Sequence, residues 1–510
     1  MGKRRLSKKR RHHYIPEESN NSSPITSSMQ ENVDTLYHIL HQSNDVNVNI
    51  FTEQNVSFAV CWITGLVENQ NINDFIIAPL REQAYRVEQP ISVMSTYLHA
   101  PFKTFYTSIE EAMEQLIHGN IIVWIDGVTA AYSIQGLQSK TRPISEPSNQ
   151  TVIRGPKEAF VESISVNSSL IRRKIKNKDV YFESMYIGKD TQTEVQLCYS
   201  KQAVDQNVLE ELTHRLQKIK TRKIFDSGML EELLEDYAQK HKWYSPFPIS
   251  QSNERPDAAA AAVQEGRIAV LVDGSPFVLL YPCTFFMFFQ SAEDYYQRFD
   301  FASFVRILRF LAFFISLYLP SIYIAITTYH PALVATDLLI NLSAQREGIP
   351  FPAFVEAMLM EIIFEILREG GIRMPKTIGP AISIVGAIVL GDSAVRAGLV
   401  SPAIVIVVSL TAIASFVAPA YDFSITARLL RFAMMISAAL LGLFGIFFIS
   451  LFLLIHLVSL ESMGKPYMAP LAPLHLKNQQ DMIIRTPYWL DNIPFIHRWK
   501  TRHGKKENLE

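Results

Sequence analysis

The chain has 510 residues, 48% of them apolar, a formal net charge of −1 and three cysteines. The near-zero charge gives no reason to expect nucleic acid as the main partner. Cys61, Cys198 and Cys283 are too few and too scattered for a disulfide framework or a CxxC-type zinc site. The length suggests about three domains at ~150 residues each. Mean hydropathy is +0.10, and no Asp, Glu, Lys or Arg falls between Arg431 and Glu461. About 20 apolar residues cross a bilayer core, so a purely soluble enzyme is excluded and a membrane protein with large polar parts is expected.

Residues 3–11 hold seven Lys or Arg and no acid. A Ser/Asn-rich stretch follows, where a secretory signal would place an apolar run. The N-terminal region is therefore expected to stay in the cytoplasm, with residues 1–30 a basic disordered tail that can also lean on anionic lipid. His12 and His13 suggest no metal site.

An internal echo organises the region 31–298. Gly119, Asp126 and Gly127 match Gly266, Asp273 and Gly274 at a constant offset of 147 residues. Each copy predicts a helix closed by a glycine, a buried strand, an Asp-Gly turn and a return strand. Two related α/β subdomains are expected, at 31–148 and 149–298. Hydropathy alone would make 268–289 a transmembrane helix, but Asp273-Gly274-Ser275-Pro276 is hairpin chemistry and Pro276 and Pro282 oppose a straight helix. A helix is expected from 284 to 296. Gly155-Pro156 reads as a turn opening a helix, on which Arg172 and Arg173 are either subunit contacts or a solvated face. There is no GxxxxGK[ST] loop, and no spacing singles out a Ser, His or Asp. No catalytic residue, cofactor site or metal site is assigned.

Only 18 of the 161 residues from 300 to 460 are charged. Four apolar segments stand out, at 310–327, 378–390, 400–417 and 432–460, with 351–367 ambiguous. The domain at 299–460 is thus expected to have four to five spans, followed by a polar tail over 461–510. Glu361, Glu365, Arg368 and Glu369 fall within an arc of roughly 100° on one helix. They mark either an ion pathway or an interfacial helix. Gly379, Ser383 and Gly386 share one face of the next helix, which suits close helix packing or a pore-facing surface where Ile382 or Val389 forms a dewetting constriction. Asp392 and Arg396 are a charged mouth or an i,i+4 pair. Charge asymmetry leaves open both the span number and the side of the tail.

These residues also carry a pattern. The chain resembles the A subunits of the GerA family of spore germination proteins. The stretches are RGPKEAF (154–160), LIRRKI (170–175), ERPD (254–257), LVDGSPF (271–277), QSAEDYY (290–296), REGIPFPAFVEA (346–357), REGGIRMP (368–375), PAISIVGAIVLGDSAVRAGLVSP (380–402) and RLLRF (428–432). Gly464-Lys465-Pro466-Tyr467 with Ala472-Pro473 closes the set. The resemblance implies an α+β/α fold class: a cytoplasmic N-terminal region of two related α/β subdomains, then an all-helical multi-span membrane domain. It further implies residence in the spore inner membrane, a transporter-like, nutrient-binding B subunit, a lipoprotein C subunit, and self-association into a nutrient-gated, cation-conducting ring. On that reading Gly379, Ile382, Ser383, Gly386 and Val389 are the pore or gate candidates, and Glu361, Glu365 and Asp392 the ion-pathway acids. The alternatives are a non-conducting scaffold that relays the signal, and an accessory stage V sporulation protein that amplifies ion release.

Overall fold

The structure, a computed structural model, describes residues 23–487 apart from 41–42, 54–55, 84–102, 137–145, 148–149, 240–244, 375–378 and 475–480. The basic cluster at 3–11 lies outside the described residues. The chain divides into two compact units, Met1–Lys140 with Lys176–Lys178, and Thr141–Ile175 with Asp179–Glu510.

In the first unit, helices α1 (Met29–Ile39) and α2 (Ile109–Ile117) pack with a sheet of β1 (Val46–Glu53), β2 (Val56–Ile63), β3 (Lys103–Tyr106), β4 (Ile121–Ile125) and β5 (Ala131–Ile134). The sheet is antiparallel, in the order β1-β2-β4-β5-β3. The Asp-Gly turn between β4 and β5 does more than reverse the chain. Asp126 accepts a hydrogen bond from the Met29 amide at 3.1 Å, and the Gly127 amide donates to the Ser27 carbonyl at 2.8 Å. A carboxylate at a helix N-terminus satisfies an orphan donor and complements the helix dipole. The tail expected over 1–30 is therefore too long. Ile25 and Met29 are buried, and the Ile25 amide bonds the Thr107 carbonyl, because α1 needs this stretch to reach its cap.

The second unit repeats the plan. Strands β6 (Val180–Ile187), β7 (Thr193–Ser200), β8 (Gln251–Asn253), β9 (Ile268–Val272) and β10 (Val278–Tyr281) run in the equivalent order β6-β7-β9-β10-β8. Helices α3 (Ile164–Lys174), α4 (Gln206–Lys218), α5 (Ser227–Gln239) and α6 (Pro256–Gln264) cover it, α3 and α6 in one apolar cluster, α4 and α5 in another. Asp273 caps α3 through the Ile164 amide as Asp126 caps α1, and Gly274 donates to the Glu162 carbonyl. Asn32 and Asn167 also match, each clamping the chain six residues upstream through both side-chain polar atoms. Arg172 is neither a subunit contact nor solvated: it is buried, its guanidinium 5.0 Å from the Phe182 ring centroid. Residues 284–296 form two 3-10 turns, Phe285–Phe289 and Ala292–Tyr295, rather than one helix. Ser291 and Asp294 close a capping box that starts the second turn afresh.

A helical bundle follows within the same unit. It comprises α7 (Phe299–Thr328), α8 (Thr336–Arg346), α9 (Ala353–Arg373), α10 (Gly379–Arg396), α11 (Pro402–Phe416), α12 (Tyr421–Leu441) and α13 (Leu443–Ser459). Helices α7 and α12 are long and apolar enough to cross a membrane, and α11 and α13 are shorter apolar helices. Contacts at the helix ends set their directions. Tyr329, just past α7, donates to the Ala439 carbonyl near the end of α12. The Ser401 amide before α11 donates to Glu356 near the start of α9. Thr426, early in α12, donates to the Pro246 carbonyl of the α/β part. Six helices therefore run alternately away from and toward the α/β part, with α8 at the far end.

Two expectations are corrected here. The apolar segment 432–460 is not one continuous helix but the second half of α12 and the whole of α13, antiparallel and broken at Gly442. Gly442 has φ +64°, and a Cβ there would lie 2.8 Å from the His330 ring; a Cβ on Gly445 would collide with the Ser437 carbonyl. Residues 461–474 and 481–487 are not a free polar tail. Strands β11 (Glu461–Ser462) and β12 (Lys465–Pro466) return to the α/β part, where Ser462 donates to the Ile249 carbonyl and accepts from the Cys283 amide. Lys465 pairs with Asp205 at 2.6 Å, and Met463 enters the apolar cluster beneath α4 and α5. Both ends of the bundle thus lie at its α/β end.

The Gly442 geometry predicts that Gly442→Val lowers the thermal midpoint of the detergent-solubilised chain. The left-handed backbone alone costs about 1–3 kcal/mol, and the His330 contact adds to it. Gly348→Ala, where a Cβ meets nothing within 4 Å, should stay within about 0.5 kcal/mol of the parent chain. Equal midpoints for both variants would refute the hairpin.

Candidate functional site

The interior of the bundle is charged. Pro320 has no amide hydrogen, so within α7 the Ser316 carbonyl loses its helical donor. Arg431 of α12 fills that role: its Nε donates to the Ser316 carbonyl at 2.7 Å, and its Nη2 donates to the Ser316 hydroxyl. Its Nη1 meets Glu361 of α9 at 2.6 Å, with both side chains 2% exposed. One turn away, Arg428 pairs with Glu365 at 2.9 Å, and Arg368 reaches Glu365, Ser415 and the Phe416 ring. Near the far end, Glu356 accepts from Arg346 and from the Ser401 amide. Helices α7, α9, α11 and α12 are thereby pinned in one register.

This changes the reading of the acidic stripe. Glu361, buried, and Glu365, partly exposed, are each matched by an arginine of the RLLRF stretch. Sequence reasoning marked the acids and missed the pairing. The available signal was spacing: Arg428 and Arg431 share one face of an apolar helix, as Glu361 and Glu365 do, and each face needs counter-charges at that pitch. Asp392 forms the i,i+4 pair with Arg396 at 2.8 Å, with both side chains more than half exposed. Gly386 faces α9, since a Cβ there would lie 3.1 Å from Leu367 Cδ2. Val389, one turn on, is 54% exposed. The side chains of Gly379, Ile382 and Ser383, all within α10, lie outside the described residues.

The bundle is fastened to the α/β part by an aromatic cluster. Phe423 of α12 stacks on Phe288 at 5.0 Å and on Phe313 of α7 at 4.9 Å, and Phe289 stacks on Phe310 at 3.9 Å. Asp294 binds both Arg306 and Arg309 of α7, and Asp481 from the returning C-terminal segment completes the Arg306 site at 2.9 Å. Beside this joint, burial pushes the Glu231 carboxyl of α5 up to about 7, against the lowering effect of the Ser250 hydroxyl, with the charges of Asp422 and Glu235 adding to the rise.

A family model described as Bacillus/Clostridium GerA spore germination protein matches residues 34–494. The chain belongs to the GerA spore germination family. Among GerA-type relatives, spore germination protein KA of Bacillus subtilis (strain 168) is 42% identical over 494 residues, covering 95% of this chain and 90% of the relative. Spore germination protein A1 of the same organism is 43% identical over 378 residues, covering 74% and 77%. The crystal structure of the N-terminal domain of the A subunit of the Bacillus megaterium spore germinant receptor GerK3 aligns at 28% identity and a TM-score of 0.41. It covers 52% of this chain and 98% of that one. The GerA match takes in both α/β subdomains and the bundle, including every charged residue of the Arg431 network.

Breaking the central pair should show the asymmetry of buried charges. Arg431→Met alone leaves Glu361 buried without its partner and should cost about 3–5 kcal/mol. The double variant Arg431→Met, Glu361→Leu should recover much of that loss. Thermal unfolding of the detergent-solubilised variants measures both, and additive losses would show that the pair does not act as a unit.

Proposed function

We propose that the chain is the A subunit of a nutrient germinant receptor, held in the spore inner membrane by its bundle with the α/β units in the cytoplasm. Copies of it form a ring that conducts ions, mainly cations, when nutrient binds a transporter-like B subunit; a lipoprotein C subunit completes the receptor. The observation that carries this reading is the inside-out character of the bundle. Charges are paired within, while Phe444, Phe447, Phe448 and Phe452 of α13 and Ile406 and Ile413 of α11 are more than half exposed. Such a surface suits lipid, where helices gain nothing from hiding apolar side chains from one another. Helices of 21 residues, such as α9 and α12, span about 31 Å at ~1.5 Å per residue, close to a bilayer core.

Because Glu361 and Glu365 are occupied by arginines, the conducting path lies between copies rather than through one chain. Helix α10 supplies its wall. Val389 is the constriction, Gly379, Ile382 and Ser383 lie along the same helix, Gly386 lets α10 close onto α9, and Asp392 stands at the mouth. A second reading, a non-conducting scaffold that relays the signal, draws support from the rigid joint between the α/β part and α12. It shares the topology and differs only in flux.

Topology is tested by labelling intact cells with a membrane-impermeant maleimide. The three native cysteines are buried, so background is low. Gln345→Cys, on α8 at the far end, should label from outside, and Leu471→Cys in the returning segment should be protected until the cells are opened. External labelling of Leu471→Cys would overturn the six-crossing arrangement.

Function is tested by potassium release from cells expressing the chain with its B and C partners. Nutrient should trigger release, and Val389→Ser, which lowers a dewetting barrier, should leak without it. With all three chains assembled, silence from both would favour the scaffold.

A further inference from the structure

The two α/β subdomains share a plan, but they differ where α6 meets β9. At the offset of 147 residues, five consecutive alanines of α6 (258–262) stand where the first copy has Glu111, Ala112, Met113, Glu114 and Gln115. Arg267 stands where the first copy has Asn120, which is satisfied by Gln115 at 2.7 Å. The second copy has exchanged long acidic side chains for small ones and placed a guanidinium at the foot of the helix. The result is a cleft of about 490 Å³ along α6, closed on its other sides by the 290–296 turn and by Pro419 and Ala420, immediately before α12.

Arg267 is 5% exposed and lines this cleft. Its Nε donates to the Pro282 carbonyl at 3.2 Å and its Nη2 to the Gln251 side-chain oxygen at 2.9 Å. Both partners are neutral, and Nη1 makes no hydrogen bond to the described residues. No carboxylate of the described residues lies within ion-pair range of the guanidinium. The cleft's Asp257 is engaged instead by Arg255 and by the Tyr296 hydroxyl, and Glu265, which also lines the cleft, acts on the guanidinium through its charge without an ion pair. Arginine stays charged in proteins, and a buried charge is ordinarily paired. A buried cation with a free donor on the wall of an open cleft calls for an anion.

We propose that this cleft binds a small oxyanion, a carboxylate or phosphate group held by Arg267, with the alanine face of α6 receiving the rest of the ligand. The volume suits a small organic molecule. Gln251, through its amide nitrogen, and Gln290, through its amide oxygen, line the cleft beside the polar remainder. An occupant touches α6 and the Pro419–Ala420 turn together, so its affinity depends on how the α/β part sits against α12, and binding biases that arrangement in return. The inference stands on the cleft alone and holds whether or not the bundle conducts.

The test uses the full chain in phosphatidylcholine nanodiscs, following the thermal midpoint as inorganic phosphate or succinate replaces chloride at matched ionic strength. A parallel set of nanodiscs contains phosphatidic acid. A ligand that binds only the folded state raises the midpoint saturably. A rise with phosphate or succinate in neutral lipid identifies a soluble anion, and a rise only with phosphatidic acid identifies a lipid headgroup; either supports the site. Arg267→Gln should weaken binding by about tenfold or more, as expected for losing a charged hydrogen-bond partner. Ala261→Trp should block the cleft while leaving Arg267 in place. No saturable shift with any of the three probes overturns the proposal. So does binding that survives in both variants, or binding lost in Arg267→Gln but kept in Ala261→Trp, which would put the anion elsewhere.

Discussion

One guanidinium organises the helical half of this protein. Arg431 reaches the carbonyl that Pro320 leaves without a helical donor, the hydroxyl of the same serine, and the Glu361 carboxylate. Each partner would be costly to bury alone. Together they join α7, α9 and α12 at one point, with a geometry that sliding or rotation of any of the three helices would break. The second pair, Arg428 with Glu365, repeats the contact one turn along and makes the register two-point. Ionic groups in such a place are less a source of stability than a device that selects one arrangement from several similar apolar packings. That property suits a bundle whose outer surface offers little to distinguish one helix rotation from another.

The same helix that carries Arg431 begins in the aromatic cluster at the α/β part. Phe423 lies two turns before Arg431 and packs against both the 285–289 turn and α7. Helix α12 is therefore a rod with one end in the joint and its middle in the charge network. Displacement of the α/β part along this rod cannot be absorbed by a flexible linker, because the turn is packed on both sides and Asp294 ties it to two arginines of α7. Coupling between the halves thus has a physical carrier made of contiguous packed groups.

The α/β half was the more legible in the sequence. Asp-Gly followed by a short apolar run has few structural solutions, and its recurrence at a fixed offset revealed a duplication that the two sheet orders repeat strand for strand. That signal also kept 268–289 out of the membrane, where hydropathy alone would have put it. The bundle was harder to read because its deciding features are long-range. The partner of Glu361 is 70 residues away, and no local pattern names it. Gly442 is a single residue inside a long apolar run, and what forces the reversal is its left-handed backbone and the crowding by His330. Arg172 read as a subunit contact or a solvated face because arginine is rarely buried; a ring beneath the guanidinium is invisible until β6 is placed under α3.

The seat of Met463 among the side chains beneath α4 and α5 has a bearing on how the protein is made. The ribosome delivers the α/β subdomains first and the bundle afterwards, yet this apolar cluster also contains a side chain that lies beyond the last helix. Domains usually fold as units in order of synthesis. Here the second subdomain takes Met463, and the Ser462 hydroxyl that bridges Ile249 and Cys283, from the chain beyond α13. A chain that did not return from α13 to the α/β part would leave this core short of a side chain. The fold of the α/β half thereby depends on the bundle bringing the chain back to it.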